Sequence, residues 1–315
     1  MKFGISIPGH GPAASPDNLT LIAQCAEGLG FDSVLLGDHI VIPNSIASNY
    51  PYSATGSFSS AESGEWLDQL TVLTFLAAKT QRIRLVPSVM VLPHRNPVVA
   101  AKILSTLDVL SDGRLSVGVG AGWLKEEFLA LGLPFFKERG TVSNEYIQVF
   151  KELWTNDNPS FHGKYCSFSN IRFLPKPLQK PHPPIWVGGE SPAALRRAAA
   201  LGNAWHPIGS NPRHPLTTVD QLKSSIDQLH RYASEAGRDP SQIQIAYRVP
   251  TYPFSYQQRP EAFTGDADQT VRDIDAFASV GVSHLTFDFR SPDARGTIRL
   301  MEEFAHRIMA KTSNN

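Results

Sequence analysis

IRLVPSVMV (83–91), PVVAAKILSTLDVL (97–110) and RLSVGVGAG (114–122) follow one another almost without interruption. The outer two are short apolar runs dominated by Val, Ile and Leu, and they read as buried strands. In the middle one, apolar residues recur at helical spacing. Strand, helix and strand in that order make a crossover between parallel neighbours. The same alternation runs outward in both directions. Upstream, KFGISI (2–7) and SVLLGD (33–38) flank LTLIAQCAEGLG (19–30), and a helical pattern over 67–79 follows. Asp17 is expected as the N-cap of the first helix and Gly30 as its C-terminal glycine. Downstream come PIWVGG (184–189), NAWHPI (203–208), IQIAYRV (243–249) and SHLTFDF (283–289). Helical patterns at 142–154, 191–200, 217–236, 268–279 and 293–311 separate or follow them.

Eight strands, each followed by a helix, define an α/β chain. Eight is the number that closes a (β/α)8 TIM barrel; an open doubly wound sheet is the rival, because it alternates too. Regular units with no break in composition favour one closed barrel, a single domain over residues 1–315. No short repeat marks a solenoid, and only the tail KTSNN is of low complexity. Insertions are expected after strands 2, 4 and 7, at residues 43–65, 155–183 and 250–265. Loops beyond strand C-termini form the active face of a barrel. The aromatic residues Tyr50, Tyr52, Phe58, Tyr252, Phe254 and Tyr256 make these loops a lid over an uncharged, partly apolar molecule.

Composition excludes several classes. Lysines plus arginines and aspartates plus glutamates number 29 each, so no polyanionic partner is indicated and nucleic acid is not expected. Two isolated cysteines, Cys25 and Cys166, build neither a disulfide framework nor a thiolate metal cluster. MKFGISIP begins as a strand rather than a signal sequence, and no apolar stretch approaches the roughly 18 residues of a membrane span. The chain is therefore expected to be soluble and cytoplasmic, with no membrane partner.

Several strand ends carry chemistry. Asp38–His39 ends the second strand, where a histidine can move a proton near neutral pH while Asp38 orients it or pairs with an arginine. His94 follows the third strand beside Arg95, His206 follows the sixth, and His10 follows the first. No pair has HxH or HExxH spacing, so no metal is expected, and no nucleophile elbow is present. In GVGAGW (118–123), the missing side chains of Gly118, Gly120 and Gly122 either admit a flat ring or serve close packing inside the barrel. Gly188–Gly189 ends the fifth strand, and Ser191–Pro192 opens a helix whose free N–H groups suit a phosphate. Glu190 suits that phosphate only if it points away.

GFDSVLLGDH (30–39), the whole of 83–140, the run from Leu153 to Phe168 and PPIWVGGESPAALRRAAALGNAWHP (183–207) together resemble the luciferase-like flavin and deazaflavin oxidoreductases. The last third shares only the strand–helix rhythm. The resemblance implies a (β/α)8 barrel holding a reduced FMN, or alternatively F420, at the strand C-termini. It implies a non-proline cis peptide at Ser88–Val89 beneath the ring, His39 as the family's strand-two histidine, and a phosphate turn on Gly189, Glu190 and Ser191; with His39, His94 is taken as catalytic from its place after the third strand. Asp38, Ser88, Val89, Gly120, Ala121, Gly122, Gly188 and His206 complete the expected cofactor seat. Bacterial luciferase carries a phosphate-binding arginine where this chain has Ala121, which keeps the F420 alternative open.

Two reactions follow. Either a separate flavin reductase supplies reduced FMN and oxygen is inserted into a small organic substrate, or F420 exchanges a hydride with it. A catalytically silent flavin-binding barrel is the third reading, disfavoured by the presence of both His39 and GGES (188–191). The family's members often form homodimers through their second and third helices, which is the expectation here.

Overall fold

The computed structural model describes residues 1–58, 64–249, 262–289 and 291–312. Elements alternate from the start: β1 (Lys2–Ser6), α1 (Pro16–Gly28), β2 (Ser33–Leu36), α2 (Gln69–Ala77) and β3 (Arg84–Pro87). Then come β4 (Met90–Val91), α3 (Pro97–Leu110), β5 (Val117–Gly120), α4 (Lys125–Ala130), α5 (Arg139–Thr155) and a small hairpin, β6 (Phe161–His162) and β7 (Ser167–Phe168). The second half runs β8 (Ile185–Gly188), α6 (Pro192–Leu201), β9 (Ala204–His206), α7 (Val219–Glu235) and β10 (Gln244–Arg248). It ends with α8 (Ala267–Ser279), β11 (Val282–Phe287) and α9 (Ala294–Phe304), which continues through a π-type turn over Ala305–Met309.

The nine-stranded sheet runs β3-β2-β1-β11-β10-β9-β8-β5-β4, and every pairing between its named strands is parallel. Its two end strands are halves of one. β3 pairs with β2, β4 pairs with β5, and the cis peptide Ser88–Val89 lies between them. Leu85 bridges to Leu115 just before β5, which closes the sheet into a barrel of eight strand positions. The open-sheet rival is thereby set aside.

Strand alternation sorts the interior. Outward residues such as Ile5, Val34, Leu85, Val119 and Val187 pack under the helices, while Leu35, Val86, Trp186, Ala204 and Ala246 fill the lumen. Gly118 belongs to the packing reading: a Cβ there would stand 2.1 Å from the Pro87 carbonyl oxygen. Lower in the lumen, Ser33 bonds His284 (3.0 Å), and the Trp186 ring stands edge-on to the same imidazole.

Two expectations need correction. The N-cap of α1 is Ser15, whose Oγ accepts from the Asn18 N–H; Pro16 takes the first helical position and Asp17 the first turn. The 155–183 stretch contributes no lining residue to the central cavity. Its hairpin lies along α5, where Glu145 accepts from the N–H groups of Lys164, Tyr165 and Cys166, so it is no lid. What stands over the barrel after the fourth strand position is instead residues 121–138 with α4. Tyr252, Phe254 and Tyr256 lie outside the described residues.

Candidate active site

A cavity of about 870 Å3 opens at the C-terminal ends of the strands, and it brings all the sequence-predicted residues together. His39, His94, Asp38, Ser88, Val89, Gly120, Ala121, Gly122, Gly188, Gly189, Glu190, Ser191, His206 and the weaker candidate His10 all contribute to its lining. Their roles differ from one another in ways the sequence does not separate.

His39 Nδ1 lies 2.8 Å from Glu127 Oε2. A carboxylate only accepts, so Nδ1 carries a proton and donates it to Glu127, leaving Nε2 as the other ring nitrogen. Glu127 Oε1 meanwhile accepts from the N–H groups of Ile40 (2.7 Å) and Val41 (3.3 Å). Burial raises the Glu127 carboxyl, but the His39 bond, the two neighbouring histidines and the Ile40 N–H together take it below the usual carboxylate range. Glu127 therefore stays charged and holds the imidazole in one tautomer. Around His39 stand Phe58 (5.0 Å between ring centres), Trp66 (4.8 Å) and Trp123 (6.4 Å), with Tyr50 against Phe58 and Trp123. These aromatics make one wall of the cavity apolar.

Asp38 does not orient His39. Its carboxylate is fully buried, accepting from Arg95 on both oxygens (2.6 and 2.8 Å) and from the Val91 N–H. It fixes β2 to the segment after β3 and offers no oxygen to a ligand, so its place in the cofactor seat is one of support. His94 is also set back. Its side chain is 1% exposed, Nδ1 stands 3.8 Å from Glu127 Oε1, and the ring meets Phe128 edge-on.

His206 works beneath the floor. A carbonyl accepts, so Nδ1–H donates to Ala246 O (2.6 Å) and Nε2 accepts from the Ser88 hydroxyl (2.9 Å). Burial, against the Ala246 bond and aided by the Arg248 charge, brings its pKa down to about 4. Its folded value thus lies below that of an unfolded histidine, near 6.5. The stability this neutral ring contributes is whole above pH 6.5 and is lost as pH falls toward 4, where the unfolded chain binds the proton first. The gap corresponds to about 3 kcal/mol. Denaturant midpoints measured between pH 7 and 4.5 should fall accordingly, and less steeply in a His206→Gln variant. Equal slopes in the two proteins would show that this ring does not titrate on unfolding.

The glycines at the rim first accommodate protein. A Cβ on Gly120 would meet Val89 Cγ2 at 2.6 Å, and one on Gly188 would meet Val89 Cγ1 at 2.9 Å. Val89 thus stands between two bare strand ends. Gly189 has φ +102°, and its turn delivers Ser191 as the N-cap of α6. Ser191 Oγ accepts from the Ala194 N–H, which leaves its hydroxyl proton free to donate. Glu190 turns away, bonding the Ile208 N–H (2.8 Å) and Asn211 Nδ2 (2.9 Å). Its burial outweighs those two bonds and pushes the carboxyl up to about 6.

Two arginines the sequence reading missed line the cavity near this turn. Arg197, on α6, donates to Asn144 Oδ1 and Gly140 O; Arg139, opening α5, donates to Gly122 O and Phe136 O. Neither forms a salt bridge among the described residues, and burial together with the Arg139 charge holds Arg197 below an arginine's ordinary value. Two unneutralised guanidiniums, the exposed Lys137 and a helix N-terminus fit a phosphate at this end. The small residues between this end and the aromatic wall leave room for a flat ring. The residues present therefore fit a phosphate-bearing flavin or deazaflavin. Among the described residues no group of three or more His, Cys, Asp or Glu side chains is placed to hold a metal ion, and no helix is long and apolar enough to cross a membrane.

The profile of the family described as luciferase-like monooxygenase matches residues 1–284. The chain belongs to that family of oxidoreductases. It is 33% identical over 218 residues to an FMNH2-dependent dimethylsulfone monooxygenase of Pseudomonas putida, covering 69% of this chain and 53% of that protein. The match thus spans about half the length of that curated relative. A monooxygenase from Streptomyces bottropensis superposes with a TM-score of 0.77 at 24% identity, over 99% of each chain. The coenzyme F420 dependent tetrahydromethanopterin reductase of Methanopyrus kandleri superposes with 0.73 at 19% identity, also over 99% of each. At those identities the two structures establish the shared fold.

Proposed function

We propose that this protein is the oxygenating component of a two-component monooxygenase, taking reduced FMN from a separate flavin reductase and inserting one oxygen atom into a small, partly apolar organic molecule. The observation that carries the reading is the His39–Glu127 pair set among aromatic side chains in the cavity that also holds Arg139 and Arg197. Arg139, Arg197, Ser191 and the first turn of α6 would hold the phosphate, with Ser88, Val89, Gly120, Ala121, Gly122, Gly188 and Gly189 bordering the ring. The FMNH2 dependence of the 33%-identical relative supports FMN. A reduced flavin, when bound, supplies two electrons to molecular oxygen. The chain's part is to keep the chamber dry and to hold or move a proton at His39 Nε2. His94, buried behind the same carboxylate, would act only through Glu127.

The second reading is hydride transfer with F420, favoured by Lys137 at the rim, which would suit a longer anionic tail. In either case we propose a soluble cytoplasmic protein that works as a homodimer. Val99 and Leu110, exposed apolar residues of α3, support pairing through that helix.

Anaerobic titration with reduced FMN and with F420, followed by fluorescence, decides between the readings. Saturable binding of reduced FMN, then oxygen uptake on admitting air, is expected; saturable binding of F420 alone would sink the oxygenase reading.

A further inference from the structure

The chamber also holds a cation that neither the cofactor seat nor the proton-moving pair uses. Ile245 and Tyr247 of β10 face the helices, Ala246 faces the lumen, and so Arg248 stands over the barrel mouth. Its side chain is 21% exposed and lines the cavity. Among the described residues its guanidinium makes no hydrogen bond. Its nearest acid is Asp288, at 3.7 Å, beyond hydrogen-bond reach. Its donors are half-buried at the cavity wall, where a ligand with an acceptor oxygen can meet them. The Tyr52 hydroxyl, in the field of both Arg248 and Glu190, lines the same part of the cavity.

We propose that Arg248 and Tyr52 form the subsite that receives the polar end of the substrate, and that this end is a neutral acceptor oxygen such as a carbonyl or sulfonyl. Charge selects neutral over anionic. Asp288 already stands by the guanidinium and Glu190 is close enough to act on Tyr52, so an added anion would face two carboxylates. The rest of the molecule would lie against Tyr50, Phe58, Trp66 and Trp123, with the reacting carbon toward His39. This rests on reading the cavity as the substrate chamber of the proposed oxidoreductase.

The test uses the full chain with acetophenone, ethylbenzene and benzoate, three ring compounds of similar size carrying a neutral acceptor, no acceptor and an anion. Calorimetry on the ligand-free protein should show acetophenone binding about tenfold tighter than the other two, the worth of one well-made bond to a charged donor. Arg248→Met should erase that preference. It should leave the melting temperature of the ligand-free protein unchanged or raise it slightly, because the half-buried guanidinium makes no hydrogen bond among the described residues. A lowered melting temperature would mark Arg248 as a structural residue and overturn the proposal. So would equal binding of ketone and hydrocarbon, tightest binding of benzoate, or no binding of any of the three. Reduced FMN and F420 are titrated into the same variant. A tenfold loss of cofactor affinity with the ketone preference intact would assign Arg248 to the cofactor instead. Failure of both cofactors to bind wild type, with the ketone preference present, would overturn the oxidoreductase reading and leave the subsite standing.

Discussion

Exchange of His39 for alanine is expected to cut turnover by about 10²–10⁴-fold, the range of a general acid or base, while cofactor affinity stays within about threefold. The separation follows from position. His39 sits in the aromatic wall, and the phosphate end is built from other elements, α5 and α6. The exchange leaves Glu127 Oε2 without its partner, at about 1–3 kcal/mol in stability, so melting curves must accompany the kinetics. Glu127→Gln should act in the same direction but less, by about a hundredfold, because a neutral amide no longer fixes the Nδ1 proton or stabilises a positive ring. If Glu127 works through His39, the double variant is no slower than His39→Ala alone. Multiplied losses would assign the two residues separate tasks. Unchanged turnover in His39→Ala would remove the histidine from the chemistry.

The barrel was legible because parallel strands buried on both faces read as apolar runs, and 83–91, 114–122 and 184–189 contain β3 with β4, β5 and β8 within their bounds. The helix over 97–110 coincides with α3. Caps were less legible where two cap-forming residues stand close together. Ser15 and Asp17 flank a proline, and the preference of proline for the first helical position decides for Ser15. The strand ends pointed correctly to one cavity, since a barrel gathers them at one face whatever the loops do. Pairings across that face left no local trace. His39 and Glu127 are 88 residues apart, and nothing in KEEFLA distinguishes Glu127 from Glu126, which caps the Ala47 and Ser48 N–H groups. Arg197 did leave a signal. In PAALRRAAAL it shares a helical face with the buried Ala194 and Ala198, where a lone exposed arginine is not expected. The Ala121 departure thus concerned a single position, while Arg139 and Arg197, further along the chain, bring two cations to the same cavity lining.

That cationic end gives the second large effect. Arg139→Met or Arg197→Met should each weaken binding of reduced FMN by about 10–100-fold, as expected when a bond between charged groups worth about 1.5–3 kcal/mol is removed. Binding of reduced riboflavin, which lacks the phosphate, should be unchanged. The comparison separates anion recognition from support of the fold, because both arginines also bond protein: Arg197 holds Gly140 O and Asn144, and Arg139 holds Gly122 O. A purely structural role would weaken both flavins alike. Stability should suffer less than those lost bonds imply, since burial and then the Arg139 charge hold Arg197 low, and each exchange removes a buried cation and the repulsion between the two. Salt supplies the cross-check. Raising ionic strength should weaken FMN binding to wild type and affect a variant lacking both arginines less, because only the exposed Lys137 charge is then left to screen. Equal loss for FMN and riboflavin would return both arginines to the scaffold and place the phosphate elsewhere on the rim.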